Sequence, residues 1–72
     1  MKTFSYEKDP GEVHINLYAE NGYHMLKLDF PTQGDAEALF ESEFSKYLSA
    51  LNYPQLTPEE IASCRLMLEN NR

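Results

Sequence analysis

The chain has 72 residues, the length of one small domain in which a single hydrophobic core yields only a few kcal/mol of net stability and no deep cleft fits. Six Lys and Arg stand against twelve Asp and Glu, for a net charge of −6. That balance excludes direct nucleic-acid binding, which draws on basic side chains against phosphate, and the lone Cys64 excludes a disulfide-stapled scaffold.

Residues 2–7 alternate Thr3 and Ser5 with Phe4 and Tyr6, the pattern of a short first strand. Asp9-Pro10-Gly11-Glu12 then supplies a turn, with proline presetting φ and glycine accepting a positive φ. A tight turn there sets Phe4 beside Leu17, Tyr6 beside Ile15 and Glu7 beside His14. Residues 13–30 read as a β-hairpin about Asn21-Gly22, a dipeptide suited to a type I′ turn. The register that follows opposes Glu20 to Tyr23, Ala19 to His24, Tyr18 to Met25, Leu17 to Leu26, Asn16 to Lys27, Ile15 to Leu28, His14 to Asp29 and Val13 to Phe30. Val13, Ile15, Leu17, Leu26, Leu28 and Phe30 then share one face, and His14, Asn16, Tyr18, Met25, Lys27 and Asp29 the other.

Pro31 ends the sheet, because it removes a ladder donor. A helix is expected from Thr32 or Asp35 to about Leu51 or Asn52, burying Ala36, Phe40, Phe44, Tyr47, Leu48 and Leu51. The connection includes Tyr53-Pro54, expected trans. Thr57-Pro58-Glu59-Glu60 opens a second helix with a capping box, and Ile61, Cys64 and Leu68, flanked by Arg65 and Met67, form its inner stripe. The expected architecture is α+β, a three-stranded antiparallel meander in the order β-β-β-α-α with both helices on one face. Residues 1–72 form one domain.

Few residues invite chemistry. Glu7, His14 and Asp29 form a row across the open face, where a histidine between two carboxylates keeps its proton to higher pH. No nucleophile or second histidine joins them, and His24, paired with Ala19, is expected on the opposite face from His14, so the reading is a pH-sensitive structural row: not an enzyme, no catalytic residue, no metal, no cofactor. Gly11, Gly22 and Gly34 are isolated, which argues against a phosphate loop. Tyr18, Tyr23 and Met25, beside Asn16 and Lys27, form a candidate protein-binding patch on the open face, since aromatic and Met side chains are favoured at interfaces. Residues 31–72 carry three basic against seven acidic side chains, so Glu37 and Glu41 on the first helix offer a second, acidic surface for a basic protein partner.

In size, acidity and layout the chain resembles the small phage-encoded anti-CRISPR proteins. The likeness rests on Tyr18-Ala19-Glu20-Asn21-Gly22 in a hairpin and on Asp29-Phe30 leading to the helix that contains Glu37, Leu39 and Phe40. It implies an inhibitor of a larger nucleic-acid-handling complex, and it carries over no binding residue. The functional expectation is a non-catalytic, acidic protein-binding module that inhibits or regulates such a complex. The alternative is an accessory subunit that forms a homodimer through its open sheet face. No leader-like or membrane-spanning apolar run is present, so the expected location is the cytoplasm of its own or a host cell.

Overall fold

The computed structural model describes residues 1–72, in the order β1 (Thr3–Asp9), β2 (Glu12–Tyr18), β3 (His24–Phe30), α1 (Gln33–Ala50) and α2 (Pro58–Asn70). The strands form one antiparallel sheet with β2 in the centre. At the first turn Pro10 holds φ negative and Gly11 takes φ +88°, the signs of a type II turn. The expected register holds: Phe4 pairs with Leu17, Tyr6 with Ile15 and Glu7 with His14. The ladder runs two residues past the expected strand end, to the Asp9–Glu12 pair that closes the turn.

The second turn departs from the expected type I′ geometry. Gly22 has φ +87° but Asn21 does not enter the positive region. The Gly22 N–H donates to the Ala19 carbonyl at 2.9 Å and the Ala19 N–H to the Tyr23 carbonyl at 2.8 Å, which encloses a three-residue loop of Glu20, Asn21 and Gly22. Asn21 supports it through its side chain, Oδ1 accepting the Tyr23 N–H at 3.0 Å. Tyr18 therefore pairs with His24, not Met25, and the ladder is one residue out of step with expectation at this end. A bulge between the Tyr18 and Leu17 pairs absorbs Met25 as the extra residue. Beyond it, Leu17–Leu26, Asn16–Lys27, Ile15–Leu28, His14–Asp29 and Val13–Phe30 pair as expected.

Both helices pack on the face carrying Val13, Ile15, Leu17, Leu28 and Phe30, α1 against β3 and α2 against β1. The buried stripe of α1 is Ala36, Phe40, Phe44 and Leu48, every fourth residue. Tyr47 and Leu51, expected in that stripe, are exposed: only a narrow face of α1 meets the core, and Leu51 lies past its last turn at the C-cap. Phe44 meets Phe4 edge to face with centroids 5.7 Å apart. Cys64 and Leu68 fill the α2 side, where burial pushes the Cys64 thiol up to about 12 and keeps it protonated.

The helix ends are closed by their own sequence. Thr32 caps α1, and Asn52 at φ 62° ends it: the Asn52 N–H reaches the Ser49 carbonyl and the Tyr53 N–H the Leu48 carbonyl, a Schellman motif with asparagine at the left-handed position. Every peptide bond is trans, Tyr53–Pro54 included. At α2 the capping box forms as expected, and its Glu60 is buried. One Glu60 oxygen accepts the Thr57 N–H at 2.9 Å and the other the Lys2 N–H at 2.8 Å, so a helix cap also ties down the approach to β1. Burial works to raise the Glu60 pKa, but these backbone donors and the Lys2 ammonium prevail and leave it lowered. Gln33 joins three elements, accepting from the Tyr6 hydroxyl at 2.6 Å and donating to the Leu68 carbonyl at 2.8 Å. No helix is long and apolar enough to cross a membrane.

Candidate functional site

Strand alternation sends Glu12, His14, Asn16 and Tyr18 of β2 to the face opposite the helices. No helix lies there, yet His14 and Asn16 are only 5% and 4% exposed. β2 is the central strand, and longer polar side chains of β1 and β3 bend over it. His14 Nδ1 stands 2.6 Å from Asp29 Oδ1, and Nε2 stands 2.8 Å from Asp9 Oδ2. Only the imidazolium has an N–H on both ring nitrogens, so the geometry fits the charged ring. Hydrogen bonding to Asp29, then to Asp9, raises the His14 pKa against the opposing effects of burial and of Lys27.

The row expected from the sequence is thus changed in one member. Glu7 stands opposite His14 in the ladder, but its carboxylate accepts from Asn16 Nδ2 at 3.3 Å. Asp9, at the turn, takes its place beside the ring. Glu12 adds a third carboxylate: one ligand atom each from Glu12, His14 and Asp29 lies within 4.8 Å of the others. Both Asp9 and Glu12 were legible in principle, since Glu12 shares a face with His14 two residues on, and a ladder run to the end of the turn brings Asp9 alongside. Reading β1 as ending at Glu7 hid them.

The tyrosine-rich patch does not form as expected. Met25, re-aimed by the bulge, packs against the core, and so leaves the open face. Asn16 is buried and occupied, its Oδ1 accepting from His24 Nε2 at 2.9 Å while its amide donates to Glu7. His24, expected on the face opposite His14, thus lies on the same open face, because the three-residue loop pairs it with Tyr18 instead of Ala19. Tyr18 is half-buried, with its hydroxyl 3.3 Å from the Ser5 hydroxyl and its ring 5.3 Å from the His24 ring. Tyr23 and Lys27 remain exposed. The acidic surface of α1 is also altered, because Arg72 pairs with Glu37 and Arg65 with Glu41, each at 2.6 Å. Arg72, and then Gln33, hold the Glu37 carboxyl below its usual range. Neither acid is a free charge awaiting a partner.

The anionic ground therefore lies on the sheet, around His14. Three carboxylates, Asp9, Glu12 and Asp29, surround one imidazolium, with Lys27 the neighbouring cation that also acts on the ring. The Asp9 and Asp29 side chains are 64% and 53% exposed, so each can meet an incoming donor. A divalent cation held by Glu12, His14 and Asp29 must first displace the ring proton that Asp29 now accepts. Neither of the two surface grooves includes His14. No protein-family model, curated protein or solved structure matches the chain at a significant level.

Proposed function

We propose that the chain is a non-catalytic protein-binding module whose open sheet face receives a basic surface of a larger protein. It acts there as a small acidic inhibitor or regulator, and a nucleic-acid-handling complex of the kind that phage anti-defence proteins block is the natural target. One observation carries the reading: Asp9, Glu12 and Asp29 converge on a buried imidazolium that neutralises only part of their charge. Asp9 and Asp29 of this cluster are pre-organised by their hydrogen bonds to His14, so an Arg or Lys of the partner meets two fixed acceptors and less side-chain entropy is lost on binding. Exposed charges chiefly set encounter rate and partner choice, which makes the complex salt-sensitive.

The test is affinity capture from the native host at low and high salt, with the wild type and with Asp9→Asn/Glu12→Gln as baits. A partner retained by the wild type at low salt and lost by the double variant supports the reading. Equal retention by both baits overturns it. The self-associating reading shifts place, because the open face lacks the Tyr18–Met25 patch that a face-to-face dimer needed.

A further inference from the structure

β3 is an edge strand, and its free side carries one of two surface grooves, lined by Leu26, Leu28, Phe30, Leu39 and Tyr47 among others. The groove, of about 440 Å³, runs between residues 26–30 and one flank of α1. Leu39 and Tyr47, at 44% and 40% exposure, stand on that flank, with half-buried Leu26 below. Edge strands are a standing invitation to pairing, and proteins usually blunt them with lysine, proline or a bulge. All three devices occur here, but the bulge and the proline bound the strand, and only Lys27 lies within it. The bulge lies at Met25, Pro31 follows Phe30, and five residues of regular strand remain between, with Leu28 at their centre.

We infer that this edge is a homodimer interface, in which residues 26–30 of two copies pair antiparallel about a two-fold axis at Leu28 and join two three-stranded sheets into one of six strands. The strand is complementary to itself in this register. Leu28 meets Leu28 and Leu26 meets Phe30 on the helix-covered face, while Lys27 meets Asp29 twice on the open face. The lysine that would guard the edge against other strands thus has an acid opposite it only when the visitor is a second copy. The other edge lacks this property: a two-fold at Tyr6 of β1 sets Lys8 opposite Phe4. Of the three charges lining the groove, Lys27, Asp29 and Glu43, only Glu43 meets its own kind across the axis. Each copy carries −6, so association strengthens as salt screens the long-range repulsion while the contact pairs persist.

The inference shares Asp29 with the proposed partner-binding cluster but neither Asp9 nor Glu12, and its readout, self-association of the chain with no partner present, is separate. The full chain is measured by sedimentation equilibrium over a wide concentration range at near-physiological salt, with folding of each variant checked by circular dichroism. The wild type is expected to dimerise. Lys27→Asp and Asp29→Lys each turn two attractive pairs into two repulsive ones and weaken the dimer by about tenfold or more. An equimolar mixture of the two variants restores association, because both cross-axis pairs of the mixed dimer again set an acid against a lysine. Glu43→Gln tightens the wild-type dimer. A wild type that stays monomeric throughout, a dimer indifferent to both charge reversals, or a mixture that fails to recover overturns the inference. None of these outcomes touches capture of a partner by Asp9 and Glu12.

Discussion

The two faces of one sheet reach the same burial by opposite means. On the helix side Val13, Ile15 and Leu17 of β2 are covered by α1 and α2, and apolar area leaves water. On the open side His14 and Asn16, interleaved with them, are equally hidden, but their covers are Asp9, Glu7, His24 and Asp29, which hydrogen-bond them in place. No buried side-chain polar atom lacks a partner. In a three-stranded sheet the middle strand is therefore interior on both sides, and what separates the sides is chemistry, not exposure. The apolar side supplies cohesion, and the polar side keeps charges at fixed positions where a partner can find them.

That contrast breaks most sharply at Phe44. Phe44→Ala removes a fully buried ring from the helix side and is expected to cost about 3–5 kcal/mol, comparable with the whole stability of a chain this size, so urea unfolding should show little folded protein left. Asn16→Leu probes the open side. It frees Glu7 and His24, both able to reach water, and the expected loss is about 1 kcal/mol by the same melt. A loss as large as that of Phe44→Ala would mean that the polar side is a second core.

The smallest effect is a dependence on pH, because water competes at the exposed Asp9 and Asp29. The pKa of His14 is raised above its usual 6.5, so its contribution is complete below that value and is lost as pH rises through the folded one. The pKa of Glu60 is lowered from 4.5, so its contribution is present above 4.5 and is lost as pH falls through the folded value. Stability measured from well below pH 4.5 to alkaline pH should thus decline on the alkaline limb for the open face and on the acid limb for the helix side. His14→Gln should flatten the alkaline limb and leave the acid limb; an alkaline decline that persists in this variant assigns it to other groups.

Much of the fold was legible because its signals are local and mutually consistent. Strand alternation, Pro10-Gly11, the proline after Phe30 and Thr57-Pro58-Glu59-Glu60 each act over a few residues, and all agree on one topology. The site was less legible because it depends on where long side chains lean. Asp9 displaced Glu7 beside His14 by coming from the turn, and Arg65 of α2 and Arg72 beyond its end reached Glu41 and Glu37 across a long sequence separation. Backbone register places α-carbons, but carboxylates and guanidinium groups extend well beyond them. The loop at Glu20-Asn21-Gly22 was misread for a different reason: Asn21 supports the turn through its amide oxygen, a role that sequence does not distinguish from tolerance of positive φ.

The surplus residue at Met25 gives the hairpin a slack position. In an ordinary two-stranded ladder, losing one residue sends every later side chain to the wrong side. Here Leu17 already faces Leu26 across the irregularity, and Tyr18 faces His24 before it. Removing Met25 would leave a regular ladder with Leu28 still inward and Asp29 still against His14. The chain can thus shorten at this one place while its two surfaces keep their identities, a tolerance that neither neighbouring strand segment shares.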